Sequence, residues 1–388
     1  MRLQALPPTE YSERISRLQK ELEKNEIDLF VGYSSECESA SSRYLAGFWP
    51  FFDFAAVLVP AKGKAALLTG GPESYEFAKN FATVPSIYIN PLLVETAAPE
   101  WVPKVTEMNF NKILAKVCKK NPAKIGIGNW NIFPHILFEE LREAALNAEI
   151  IPADNLLLNI QKIKTKNEIP YIVEAYHISE EAMIAALNAA KPGMREWELE
   201  AVARTKILSM GAEGTPYPIW CCSGDNSKLS LCRSTDKPIG KNELVQLTTG
   251  VKYMGYCGNM CRPFSIGKAP GSAKVLMEVA LEALHYALDN IKPGVESSKI
   301  FDGYYNILSR YNFENFTLYG PAHGTGSSEV EGFWLAKDNN FVIMPGMLFN
   351  IDIWLSDGKN GLRFEDGILT TDNGIRELTK YKREIIEL

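Results

Sequence analysis

Lys191-Pro192-Gly193-Met194 and Lys292-Pro293-Gly294-Val295 are the stretches on which the reading of this chain turns. Each stops a long helical pattern, because proline lacks the N–H that a continuing helix needs and glycine accepts the left-handed turn that ends one. Ile207-Leu208-Ser209 follows the first stop and Ile307-Leu308-Ser309 the second. Each copy then reaches a pair of β-rich runs, at 244–266 and at 347–371. The offset is about a hundred residues throughout, and matches at one spacing with one element order mark an internal repeat. This predicts a duplicated α+β unit whose two hairpins pair about a pseudo-two-fold axis and leave a cleft between them.

Upstream of the repeat the pattern changes. Strand-like runs at 28–33, 55–59, 65–68, 87–89 and 125–127 alternate with helical patterns around 73–81, 111–119 and 135–145. A first helix is expected with Thr9 as its N-cap and Ile15, Leu18 and Leu22 on one face. Alternation of this kind predicts a layered α/β domain. Gly126-Ile-Gly128 is a turn after a strand, since Asn131 stands where a dinucleotide fingerprint needs its third glycine. Thr165-Lys-Asn-Glu168, within the basic stretch Lys162, Lys164 and Lys166, has the form of a capping box for a long helix. The domain boundary is therefore placed near Leu158, giving an N-terminal domain over 1–157 and the duplicated unit over 158–388.

Composition narrows the function classes. The 388 residues are 46% hydrophobic and 23% charged, with a formal net charge of -6, which excludes collagen-like and disordered chains. No apolar run approaches the roughly 18 residues of a membrane span, and no secretory leader is visible. Mild acidity argues against nucleic acid or an anionic membrane as partner. Seven cysteines, an odd number, read as reduced thiols in a cytoplasmic protein.

Several short motifs, in order, resemble the creatinase, prolidase and aminopeptidase P superfamily, with its pita-bread fold. These are Tyr44-Leu-Ala-Gly47-Phe48, Lys164-Thr-Lys-Asn-Glu168-Ile169, Lys191-Pro-Gly193, Gly255-Tyr256, Ala322-His323-Gly324-Thr-Gly326, Pro345-Gly346-Met347 and Gly361-Leu-Arg363-Phe-Glu365-Asp366. The resemblance covers nearly the whole chain. It implies an α/β N-terminal domain, a pita-bread catalytic domain, a homodimer, and a cleft for a small-molecule substrate.

Peptidases of this superfamily bind two metal ions through two Asp, one His and two Glu. The matching positions here hold Thr248, Asn259, His323, Asp352 and Glu365. Thr248 and Asn259 offer only neutral oxygens, whereas paired divalent ions need several carboxylates to offset their repulsion. By the repeat, Thr248 is matched with Asp352 and Asn259 with Glu365. The resemblance thus implies a degenerate site, either without metal, as in creatinase, or with a single Mn, Fe or Zn ion on His323, Asp352, Glu365 and the Asn259 carbonyl. Asp352 and Glu365 could alternatively pair with Arg363 or Arg262. Family histidines are missing near Leu231 and at Val330, and Glu331 matches the family's acidic residue.

Five cysteines, Cys221, Cys222, Cys232, Cys257 and Cys261, fall in segments that the family folds around its cleft. Strand alternation would put Cys257, Asn259 and Cys261 on one face, where a thiolate could serve as nucleophile, or the thiols could be small buried hydrophobes. His135, His177 and His285 are expected to be structural or exposed. Trp49-Pro-Phe51-Phe52 would reach a partner's cleft or pack on its own domain. The expected function is a creatinase-like hydrolase cleaving a C–N bond in a small amide, guanidino or amidine substrate. Its catalytic residues would be His323, Glu365, Glu331 and Asp352, with Arg262, Arg363, Tyr256, Cys261 and Cys232 binding substrate. The alternatives are a one-metal Xaa-Pro-type dipeptidase or lyase of the same superfamily, and a ligand-binding protein without turnover.

Overall fold

The computed structural model describes residues 6–95 and 106–388. Two compact units divide after Gln161. Leu158, the expected boundary, lies within a helix, Asp154–Gln161, that closes the N-terminal unit.

The N-terminal unit is a mixed six-stranded sheet in the order β4-β3-β2-β1-β5-β6. Its strands are β1 (Leu29–Ser34), β2 (Ala55–Pro60), β3 (Ala66–Thr69), β4 (Ser86–Ile89), β5 (Lys124–Gly128) and β6 (Glu149–Pro152). Helices α1 (Pro8–Lys24), α2 (Ala40–Ala46), α3 (Pro72–Phe81), α4 (Phe110–Val117), α5 (His135–Ala144) and α6 (Asp154–Gln161) accompany it. Residues 29–34 and 55–60 are buried throughout, and the alternate side chains of β1 divide between two hydrophobic clusters. Such continuous burial is what a strand covered on both faces requires. Helix α1 begins at Pro8 with Pro7 as N-cap, so Thr9 lies inside its first turn; proline's fixed φ and missing N–H suit the first helical position.

The second unit carries the repeat. Helices α7 (Ile169–Ala189) and α8 (Glu196–Ser209) precede the strands β7 (Cys221–Ser223), β8 (Leu244–Tyr253) and β9 (Tyr256–Ser265). Helices α9 (Gly271–Asn290) and α10 (Ser297–Arg310) precede β10 (Ala322–Gly324), β11 (Leu348–Ser356) and β12 (Gly361–Thr371). Strands β13 (Gly374–Glu377) and β14 (Ile386–Glu387) complete an eight-stranded sheet whose main path is β10-β11-β12-β9-β8-β7. The repeat holds to the level of single hydrogen bonds. Gly193 and Gly294 have φ of 84° and 86°. Their N–H groups donate to the Ile239 and Ile343 carbonyls at 2.8 Å each. Ile239 and Ile343 in turn donate to Met194 and Val295 at 2.8 and 2.9 Å.

The hairpins β8–β9 and β11–β12 meet at one registered pair, Glu365 opposite Cys261. Arg262 fastens this seam from the opposite face. Its guanidinium donates to the carbonyls of Cys261 and Glu365 at 2.9 Å each and to Asp366 Oδ1 at 2.8 Å. Both side chains of that ion pair are fully buried, and Arg383 adds a contact to Asp366 Oδ2 at 3.0 Å. Removing one partner strands a buried charge, at a cost of about 3–5 kcal/mol. Asp366→Ala is therefore expected to lose about that much stability in denaturant titration, while Glu384→Ala, in an exposed pair with Lys382, should change it by under about 1 kcal/mol.

Candidate active site

Strand register assembles the site. Asp352 on β11 faces Glu365 on β12, Glu365 faces Cys261 on β9, and Cys261 faces Thr248 on β8. Directly opposed residues share a sheet face, so these four form one row. The Met254-Gly255 turn, with φ of 51° and 87°, sets the first hairpin's register by pairing Tyr253 with Tyr256. The matching of Asn259 with Glu365 is corrected by this register: Cys261 takes the place of Glu365, and Asn259 stands two residues nearer the turn. Thr248 and Asp352 do match, each donating its N–H to the preceding segment, to Trp220 O at 3.1 Å and Pro321 O at 3.0 Å.

Arg363 dominates the electrostatics of the row. Its Nη1 lies 3.1 Å from Asp352 Oδ2 and 3.1 Å from Glu365 Oε1, and its Nη2 donates to Ser230 O at 3.1 Å. The guanidinium carbon sits 5.7 Å from the Trp220 ring centre and 5.9 Å from that of Tyr319. Burial, and then the charge of Asp352, push the Glu365 carboxyl up to about 8 against the opposing pull of Arg363.

His323 is the one buried histidine; His135, His177 and His285 are exposed. Its Nδ1 lies 3.0 Å from the Gly324 carbonyl, which can only accept, so Nδ1 carries the proton in that contact. Nε2 faces Glu329 Oε1 at 3.6 Å, and the ring leans on Trp334 with centroids 4.8 Å apart. Glu329 also accepts from Asn259 Nδ2 at 3.3 Å, and burial, then the Asp352 charge, raise it to about 7. Sequence reasoning missed Glu329. Its acidity within the glycine- and serine-rich run after His323 was the available signal, but Glu331 carried the motif match.

Glu331 lies in a different setting. Its carboxylate pairs with buried Lys164 and accepts the Ser327 N–H at 2.8 Å. A Cβ on Gly326, whose φ is 158°, would come within 2.4 Å of both Glu331 Oε1 and Lys164 Nζ, so this loop closes tightly on the ion pair. Arg262 lies on the seam's far side, and the Tyr256 hydroxyl donates to Glu168 at 3.3 Å. Cys261 donates its thiol to Leu247 O at 2.9 Å, and burial followed by Glu365's charge pushes it well above the usual thiol range, which opposes a thiolate nucleophile there. Cys232 is half-buried, its Sγ 3.2 Å from its neighbour's carbonyl. Arg363 alone of the five expected substrate-binding residues touches both Asp352 and Glu365.

Around the row, several buried polar atoms have no hydrogen-bond partner among the described residues: Asp352 Oδ1, Glu365 Oε2, Asn259 Oδ1, Arg363 Nε, Tyr217 Oη and Trp220 Nε1. Native interiors leave few such groups unmet, and a cluster of them marks a place where a ligand's polar atoms complete the bonding.

The arrangement is that of a pita-bread hydrolase, and the comparisons agree. The metallopeptidase family M24 model matches residues 171–372 and the creatinase/prolidase N-terminal domain model matches residues 14–161. The chain belongs to family M24. It is 26% identical over 377 residues to the Xaa-Pro dipeptidase of Pyrococcus horikoshii, covering 97% of this chain and 99% of that protein. An uncharacterized peptidase of Bacillus subtilis, YqhT, is 27% identical over 62% of this chain and 69% of its own. Among solved structures, the Pyrococcus horikoshii prolidase superposes with a TM-score of 0.83 at 24% identity, covering 96% of this chain and all of that one (100%). The Xaa-Pro dipeptidase from Bacillus anthracis gives 0.82 at 25% identity over 97% and 100%.

Family M24 implies divalent metal, and the donors in this arrangement do not fit it. One oxygen of Asp352 and one of Glu365 are engaged by a guanidinium. Thr248 and Asn259 supply no charge, and among the described residues no three His, Cys, Asp or Glu side chains converge as a metal site would require. The ion pair of Glu331 leads to a separate expectation. Glu331→Gln should lower the melting temperature by about 6–15 °C, from a cost near 3–5 kcal/mol, as read by thermal denaturation.

Proposed function

We propose that this protein is a prolidase-type hydrolase cleaving the C–N bond of dipeptide-sized amides, with Xaa-Pro dipeptides as the substrates to test first. The observation that carries the reading is the cluster of unpartnered buried polar atoms around Glu365 in an M24 domain. The near full-length likeness to Xaa-Pro dipeptidases supports it over the creatinase-like amidine hydrolase expected from the degenerate ligand positions.

The residues present define a route of their own. Arg363 Nε–H and Trp220 Nε1–H are donors without partners, suited to an amide oxygen that gains negative charge as water adds to its carbon. Glu329, its side chain 28% exposed, takes the proton from that water. Glu365, protonated near neutral pH, delivers a proton to the departing nitrogen as the C–N bond breaks. His323 holds Glu329 in place. A cytoplasmic homodimer remains part of this proposal, with light scattering the check on the dimer.

Free proline released from a panel of Xaa-Pro dipeptides, with creatine as the contrasting substrate, tests the reading. Dipeptides should turn over, and Glu365→Gln and Glu329→Gln should each lower kcat by about 10²–10⁴-fold. Turnover of creatine alone would restore the creatinase-like reading. Binding of dipeptides without turnover would leave a ligand-binding protein.

A further inference from the structure

Two carboxylates buried side by side need a positive charge between them, and this chain has one covalently in place. A single nitrogen of Arg363 bridges Asp352 and Glu365, at 3.1 Å from an oxygen of each. The side chains are 8%, 3% and 2% exposed, so the Arg363 charge acts on both carboxyl groups with little screening by solvent. The guanidinium is held by the Ser230 carbonyl and by the Trp220 and Tyr319 rings, a setting suited to a flat, permanently charged group. Across the seam, the row continues with Cys261 and Thr248, neither of which brings an acid.

We propose that Arg363, and not a metal, is the counter-ion shared by Asp352 and Glu365 here, because neutral Thr248 and Asn259 deny paired divalent ions the further acids they need. Folding of the cleft is then independent of metal. The inference stands apart from the choice of substrate, since it concerns what holds the carboxylates and not what they act on.

The test uses the full chain, dialysed against EDTA, incubated with Mn(II), Co(II) or Zn(II), desalted, and read by elemental analysis and thermal melting. Wild type should retain well under one ion per chain, and its melting temperature should be the same with chelator and with metal. Arg363→Met should melt about 10 °C lower in chelator and regain several degrees on adding Mn(II), with the ion retained on desalting. Arg363→Lys, which keeps a charge, should remain indifferent to metal. Retention of one or more ions by wild type, with a raised melting temperature, would overturn the proposal. So would an Arg363→Met protein as stable in chelator as wild type. Should Arg363→Met fail to fold without metal, the wild-type measurements decide the matter.

Discussion

Everything in the second unit hangs on how two hairpins are joined. Between β9 and β12 the ladder registers one residue pair, Glu365 with Cys261, so main-chain bonding alone gives the seam little. Arg262 supplies the rest, binding carbonyls from both strands and the Asp366 carboxylate in a fully buried setting. Because side chains alternate along a strand, fixing Arg262 and Asp366 on one face fixes Cys261 and Glu365 on the other. The alignment of Asp352, Glu365, Cys261 and Thr248 is thus a by-product of a clamp that takes no part in it.

This explains why neighbouring arginines have different roles. Arg262 and Arg363 are both nearly free of solvent, and both meet carboxylates. Arg262 finds Asp366 and main-chain carbonyls, and its role ends with the seam. Arg363 finds two acids at once and still has an Nε–H unspent. Removing either would strand acids in the interior, but only one of them stands among polar atoms that await partners.

Much of the fold was legible in the sequence because its punctuation is chemical. Lys-Pro-Gly occurs where a helix must stop, and both glycines take the left-handed turn that the repeat implies. His323, Asp352 and Glu365 were legible as site residues because motif order locates them. Register was not legible from motif order. The pairing of Cys261, and not Asn259, with Thr248 depends on where Met254 and Gly255 turn the chain. Nor was the contrast between Glu329 and Glu331, two residues apart in a loop. Which carboxylate meets His323 and which meets Lys164 depends on a path through space that linear spacing does not encode. The strand β6 and the short helix α2 went unread because each is too brief to show a period.

The hydrogen bonds of Gly193 and Gly294 have a broader meaning. The two Lys-Pro-Gly turns make the same pair of main-chain hydrogen bonds, at 2.8 and 2.8 Å in one half and 2.8 and 2.9 Å in the other, while the residues along their hairpins have parted: acids in one, a thiol and a hydroxyl in the other. Backbone and side chains have therefore answered to separate constraints within a single molecule. A duplicated scaffold of this kind can let one half drift chemically while the other preserves the shape for both, and each half serves as the internal reference against which the drift of the other is measured.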